Sequence, residues 1–238
     1  MRKTLVAVFL LLFSAAGAQT ILIKDEVEET LTESTVGANK DRYYSSFTSI
    51  GVLFGAPDST GSEINPEKSW YYEMGWRTKK QFNGFFAIGS EFNFNAKNYN
   101  IKQHDEKVFG GFEKHKKEKL FLINANYTLF MRLNFVKRGD HLGKYLDLGG
   151  FAEYAFIRRH ITKDKVETGF GYTYSKHYLR GLKFVNPFNY GVTARFGVNY
   201  LSVFCNYRLS DIFNDKVFPA WPELPRFTAG FSFDVPVW

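Results

Sequence analysis

The sequence KLFLINANYTLFMRLNFVK, at Lys119–Lys137, alternates between apolar residues and residues that are mostly polar. Every second residue of Phe121–Phe135 is apolar or aromatic, and the residues between them include Asn124, Asn126 and Arg132. A period of two is typical of a β-strand, because successive side chains point to opposite faces. The stretch is long for a soluble strand, which usually has about 3–10 residues. Such a strand suits a position between lipid and a polar interior.

Seven further stretches of the 238-residue chain alternate in the same way, and long connections between them are followed by short ones. This pattern predicts an all-β fold, an eight-stranded antiparallel up-and-down transmembrane β-barrel at residues 42–238. The other strands are expected at about 43–55, 69–78, 85–99, 144–158, 182–198, 200–209 and 226–238, with outside loops near 57–66, 100–117, 159–180 and 210–225.

The two faces of these strands differ in side-chain size. One face carries large aromatic residues such as Trp70, Trp76 and Phe92, whereas the other carries small ones such as Gly75 and Gly191. A soluble eight-stranded barrel of the lipocalin type would direct its apolar face inward, where there is little room for so many rings. The aromatic faces are therefore predicted to face lipid.

The smaller face also carries charges of both signs, and these are predicted to form a polar network in the lumen. Buried charges need partners, since desolvation of an unpaired charge costs several kcal/mol. We expect a lumen filled by salt bridges, with an ion or proton path as the alternative. The predicted network comprises Glu73, Arg77, Glu91, Arg132, Asp147, Glu153, Arg195 and Arg208.

The N-terminus has the features of an export signal. Arg2 and Lys3 precede an apolar stretch, and the small residues Ala16 and Ala18 flank Gly17 at a predicted cleavage site. Residues 1–18 are therefore predicted to be a signal peptide, and 19–41 a polar periplasmic segment. Together with the barrel, this predicts a location in the cell outer membrane.

The formal net charge of +7 does not indicate nucleic-acid binding, because no recognition motif accompanies it in an exported chain. Much of the positive charge lies in the predicted outside loops, for example at Lys116 and Lys163. A basic rim of this kind would attract phosphorylated lipid. Cys205 is the only cysteine, so no internal disulfide can form.

The sequence carries no motif for catalysis, a cofactor or a metal ion. Its five histidines fall in loops or at strand ends, and none has the spacing of a helical metal site. Ser175 and His177 lie two residues apart, but a Ser/His/acid set is defined by its spatial arrangement. We therefore predict no catalytic residue, no cofactor and no enzymatic activity.

Several segments combine glycine with aromatic residues or belong to the end of the export signal. They are GAQ at 17–19, YLDLGGFAEYAF at 145–156, NPFNYGVTARFGVNYLSVFCNYRLSDIFND at 186–215 and RFTAGFSFDV at 226–235. Together they resemble the PorT-like outer-membrane β-barrel family of Bacteroidetes-type bacteria. The resemblance covers about residues 43–238. It implies outer-membrane residence and a link to protein secretion.

The expected function is a structural, assembly or interaction role in the cell envelope. A narrow channel for small solutes and a membrane-embedded lipid-modifying enzyme are the two alternatives. The expected partners are outer-membrane lipid and lipopolysaccharide, the barrel-assembly machinery during biogenesis, and an envelope protein that the sequence does not identify.

Overall fold

The computed structural model describes residues 36–57, 60–110, 113–138, 141–214 and 221–237. They belong to the larger of the two units into which the chain divides, Ser34–Trp238. The predicted signal peptide at 1–18, most of the predicted periplasmic segment at 19–41 and Trp238 lie outside the described residues.

The described residues form nine strands and a single 3-10 turn, Pro66–Lys68. No helix in this part of the chain is long and apolar enough to cross a membrane. The strands are β1 Arg42–Phe54, β2 Trp70–Gln81, β3 Phe86–Ile101, β4 Lys117–Arg138, β5 His141–Thr168, β6 Gly171–Arg180, β7 Phe188–Val198, β8 Leu201–Arg208 and β9 Phe227–Pro236.

Eight of these strands form a closed ring in which every pairing is antiparallel. The ring closes because β1 pairs with β2 on one side and with β9 on the other. Its order is β1-β2-β3-β4-β5-β7-β8-β9, so each strand lies beside its neighbours along the chain apart from β6. The predicted all-β, eight-stranded, antiparallel up-and-down barrel is confirmed.

The ninth strand, β6, lies outside the ring. The prediction of a basic loop at 159–180 is wrong, because most of this segment forms strand. β5 continues past the ring to Thr168 and pairs with β6 in a hairpin, from Arg159 opposite Arg180 to Thr168 opposite Gly171. Tyr172 and Tyr174 favour extended backbone. The side chains of β6 are exposed along almost all of its length, so its charged residues can remain in solvent while the backbone forms a strand.

The strand predicted at 182–198 begins later, at Phe188. Leu182 and Val185 are buried under the end of the barrel and do not continue the outward-facing row. Pro187 has no N–H for a strand ladder, but its carbonyl accepts a 2.6 Å hydrogen bond from Ala155 N. Apart from β5, which was predicted at 144–158 and extends to Thr168, the other ring strands differ from their predicted bounds by only a few residues.

Long and short connections lie at opposite ends of the ring, as the sequence predicts. The long ones, at 55–69, 102–116, 181–187 and 209–226, define the loop end. The short ones, at 82–85, 139–140 and 199–200, define the turn end.

The outer surface of the ring is apolar and the inner surface is mainly polar. In β2, exposed and buried residues alternate from Trp70 to Lys80. In β4, the exposed fraction is 56% for Leu129 and 6% for Asn126. A lipocalin-type arrangement, with the apolar face inward, is therefore the reverse of what is observed. Exposed apolar residues around the ring include Ile50, Met74, Trp76, Phe92, Tyr154, Phe196, Val203, Phe231 and Phe233.

Two inward-facing rings lie across glycines of a neighbouring strand. Tyr145 is paired with Gly197, and Phe130 is paired with Gly89. A Cβ atom at Gly197 would lie 2.0 Å from Tyr145 Cζ, and one at Gly89 would lie 2.2 Å from Phe130 Cζ. The glycines therefore provide the space in which these rings fill the narrow interior.

Replacing Gly197 by alanine is expected to cost about 1–3 kcal/mol, because the Tyr145 ring must move out of a packed position. Gly150→Ala is the control, since its added Cβ would come no closer than 3.6 Å to a neighbouring atom. Urea unfolding of the barrel in lipid vesicles measures both. In a Tyr145→Ala background the cost of Gly197→Ala should disappear, and an undiminished cost would contradict the proposed clash.

Candidate functional site

The inward-facing residues of the ring form the candidate site. Every second residue of each ring strand points into the lumen, so residues that are distant in the sequence meet there. The structure places all eight residues of the predicted polar network at buried positions: Glu73 and Arg77 on β2, Glu91 on β3, Arg132 on β4, Asp147 and Glu153 on β5, Arg195 on β7 and Arg208 on β8.

Strand register creates the first links of a central ion-pair cluster. Arg77 is directly opposite Glu91, and Arg132 and Arg195 are both directly opposite Asp147, on its two sides. Opposite charges in such cross-strand positions attract each other. Arg132 donates to Asp147 through Nε at 2.6 Å and Nη2 at 2.8 Å.

Glu91 joins the two halves of this cluster across the lumen. It accepts from Arg77 Nε at 2.5 Å, and from Arg195 Nη1 and Nη2 at 2.5 and 3.0 Å. Arg195 Nη1 also reaches Asp147 at 3.1 Å, and Arg77 donates to Asp234 on β9. Three arginines therefore meet three carboxylates, and their formal charges cancel.

Aromatic rings complete the surroundings of the arginines. The Arg132 guanidinium lies 3.7 Å from the centre of the Tyr145 ring, and that of Arg77 lies 4.4 Å from the centre of the Phe47 ring. Cations are attracted to the faces of aromatic rings, more strongly where water is excluded. The central cluster is thus packed as well as paired.

The remaining predicted residues form no hydrogen bond with the central cluster among the described residues. Glu153 accepts from Lys97 Nζ at 2.6 Å, and Glu73 accepts from the Tyr71 hydroxyl. These two carboxylates border a cavity of about 10 Å³, which is at the lower limit for one water molecule. Arg208 lies nearer the loop end, where it donates to Glu223 at 2.8 Å.

Apolar residues cover the loop end of the lumen. The Phe109 ring stacks on Phe213 at a centroid distance of 5.2 Å and meets Trp221 at 5.1 Å. Burial of such rings favours a closed arrangement of the loops. The cluster comprises Leu53, Ile64, Tyr99, Ile101, Phe109, Leu120, Leu122, Leu182, Val185, Ile212, Phe213 and Leu224.

A smaller apolar cluster covers the turn end. Ala38, from the segment before β1, packs with Tyr43, Leu142 and Tyr145. Lys79 Nζ donates to the Ala38 carbonyl at 2.7 Å and holds this segment in place. In the described part of the chain the lumen is therefore covered at both ends and filled with ion pairs between them.

The histidines of the loop end form pairs with carboxylates. His160 joins Glu118 at 2.7 Å inside the apolar cluster. His104 joins Glu63 at 2.7 Å near the surface. Burial raises the pKa of Glu63, but hydrogen bonds from backbone N–H groups and His104 outweigh burial and hold the pKa below its usual value. No group of three metal-binding side chains occurs among the described residues.

Ser175 and His177 lie together on β6, with Ser175 Oγ 3.0 Å from His177 Nε2. Within the described residues no carboxylate is hydrogen-bonded to His177. Asp164, on the facing strand β5, is bound instead to His115 Nδ1 at 2.9 Å. A Ser–His pair acts as a nucleophile and base when a third group orients the histidine.

No family model and no curated protein matched this sequence.

Proposed function

We propose that this chain is an integral outer-membrane β-barrel with a structural, assembly or interaction role in the cell envelope. The observation that carries the proposal is the continuous apolar outer surface of a closed eight-stranded ring whose interior holds the ion pairs. A soluble protein would bury such a surface. Closed barrels satisfy every strand hydrogen bond internally, as a lipid environment requires.

The dimensions of the apolar surface support membrane residence. Trp70 and Phe121 pack together toward the loop end, and Phe85 and Phe135 pack together at the turn end. Phe121 and Phe135 are fourteen residues apart, about 46 Å at roughly 3.3 Å per residue. At a strand tilt of about 45°, the two residues are about 33 Å apart along the membrane normal. The usual apolar band is about 25 Å thick, so the two aromatic pairs would lie on either side of it, where aromatic belts occur.

The filled lumen favours a structural role over the narrow channel. Both ends are covered by packed side chains, and the central arginines are held by carboxylates. Reconstitution into planar bilayers tests the choice. The expected result is no stable conductance, and a stable ohmic conductance would show that the channel alternative is correct.

The hairpin of β5 and β6 supports an interaction role. It extends beyond the ring and exposes the apolar side chains of Phe170 and Tyr172 near its tip, and that of Leu179 on its other face near the ring. Exposed apolar residues that lie together, as at this tip, are characteristic of interaction surfaces. A partner in the envelope, and the link to protein secretion implied by the PorT-like resemblance, belong to this proposal.

A lipid-modifying enzyme is the less favoured alternative. Among the described residues the chain has one hydrogen-bonded Ser–His pair, Ser175 and His177 on β6, and no carboxylate there is hydrogen-bonded to His177. Incubation with lipopolysaccharide and phospholipid, followed by mass spectrometry of the lipids, tests this alternative. Turnover that is lost in Ser175→Ala would establish enzymatic activity.

Replacing Leu129 by arginine is expected to destabilise the barrel in vesicles by about 2–4 kcal/mol, because the charge would lie near the middle of the bilayer. Leu179→Arg is the matched control. Its exposed fraction of 57% equals that of Leu129 within a per cent, but it lies on the hairpin outside the ring. Urea unfolding followed by tryptophan fluorescence measures both variants. Equal tolerance of the two arginines would argue against membrane residence.

A further inference from the structure

A pocket with four lysines lies on the outer side of β4, β5 and β6. Its volume of about 290 Å³ is just below the range of roughly 300–1,000 Å³ that is common for small-ligand sites. An aliphatic and an aromatic side chain complete its walls. The lining residues, which we call the lysine pocket, are Lys117, Lys119, Ile161, Lys163, Lys176 and Tyr178.

Strand register places three of these lysines side by side. Lys117 is directly opposite Lys163, and Lys163 is directly opposite Lys176 on its other side. Adjacent strands are about 4.8 Å apart, so the row spans about 10 Å. Like charges in directly opposed positions destabilise a sheet. An anion bound between them would remove that repulsion.

No carboxylate neutralises the lysine pocket from within the described residues. The nearest acids along the strands are engaged elsewhere, Asp164 with His115 and Glu118 with His160 and Lys107. Lys163 Nζ lies 3.8 Å from the centre of the Tyr174 ring, a contact that leaves its charge intact.

Two other members of the predicted basic rim are already partnered. Lys114 pairs with Asp105, and Arg158 turns inward to donate to the carbonyl oxygens of Leu182 and Val185 at 3.0 and 2.6 Å. The lysine pocket differs from them because it brings four lysines together around one cavity.

The lysine pocket begins where the apolar surface of the ring ends. On β4, Lys119 and Lys117 continue the outward-facing row that contains Ile123 and Phe121. Successive members of this row are two residues apart, a distance of about 6.6 Å along the strand. Ile161 is directly opposite Lys119. A ligand with an apolar part against Ile123 and Phe121 would therefore present its polar part to the lysines.

We propose that the lysine pocket binds the phosphate group of a phosphorylated membrane lipid, with the acyl chains lying along the apolar surface of β4 and β5. The proposal rests on the membrane residence argued above. Lysine ammonium groups are common phosphate ligands, and Tyr178 and Ile161 give the site apolar contacts that a free phosphate would not use.

Native mass spectrometry of the full barrel in neutral detergent tests this, with phosphatidate as the probe and phosphatidylcholine as the neutral comparison. Wild type is expected to retain phosphatidate preferentially. Each lysine near an anionic lipid contributes about fivefold in affinity, so Lys117→Gln/Lys163→Gln/Lys176→Gln should bind roughly a hundredfold more weakly. The matched control, Arg42→Gln/Lys80→Gln/Lys144→Gln, changes the net charge equally at the turn end, away from the pocket, and should stay within a few-fold of wild type.

Three outcomes would overturn the proposal: equal weakening in both triple variants, equal retention of phosphatidate and phosphatidylcholine by wild type, and competition by inorganic phosphate as effective as that by phosphatidate. The last would assign the pocket to a water-soluble anion. Circular dichroism of each variant verifies that it is folded. If the wild-type barrel inserts into vesicles but shows no preference for phosphatidate, only the proposal of lipid binding at the lysine pocket is refuted. If it fails to insert, the proposal of membrane residence is refuted.

Discussion

Replacing Glu91 by glutamine is expected to destabilise the folded barrel by about 3–5 kcal/mol, because it leaves buried arginine charge without its carboxylate. Glu91 accepts from both Arg77 and Arg195, and its side chain is 1% exposed. Glutamine has nearly the same shape, so the loss would come from charge and not from packing. Urea unfolding from lipid vesicles, read by tryptophan fluorescence, measures it.

Glu73→Gln is the matched control for this prediction. Glu73 is also a buried glutamate of the lumen, but its hydrogen-bond partner is the Tyr71 hydroxyl, and no arginine forms an ion pair with it among the described residues. Loss of a single neutral partner is worth about 0.5–1.5 kcal/mol. If Glu73→Gln and Glu91→Gln cost the same, the arginines do not depend on Glu91, and the central cluster is solvated.

The ring and the two faces of its strands could be predicted from the sequence because both depend on a local property. Alternation in a single strand, such as β4, determines which side chains share a face, whatever the neighbouring strand is. The same alternation assigned Glu91 and Arg195 to the lumen, and it extends to Asp234 and Lys97, which the structure also buries with charged partners.

The partners within the lumen could not be predicted, because register is a relation between strands. A shift of two residues would keep every side chain of a strand on its face but give it another partner, and nothing within β5 specifies that Asp147 lies opposite both Arg132 and Arg195. The link from Glu91 to Arg195 crosses the lumen and depends on closure of the whole ring.

The hairpin and the covered loop end were missed for a different reason. β5 changes its alternation at a bulge, where its pairing with β4 shifts between Ile123 and Asn124, so a single period does not run from the ring into the hairpin. The burial of Phe109 and Phe213 depends on loops distant in sequence that meet over the lumen. Neither feature leaves a periodic signal in the chain.

A double-mutant cycle on Arg132 and Asp147 is expected to show strong coupling with an unequal pair of single losses. Asp147→Asn leaves Arg132 with the Tyr145 ring but without a carboxylate, so it should cost about 3–5 kcal/mol. Arg132→Gln leaves Asp147 still bound by Arg195 Nη1 at 3.1 Å, so its cost should be clearly smaller.

The combined variant should lose less than the sum of the single losses, because it removes both charges together and leaves Arg195 held by both oxygens of Glu91. Coupling energies of about 0.5–3 kcal/mol are typical of residues in one network. Urea unfolding in lipid vesicles measures the free energy of unfolding of wild type, the two single variants and the combined variant. Additive losses would mean that water screens the two side chains from each other. A larger loss for Arg132→Gln than for Asp147→Asn would mean that Arg195 does not share Asp147.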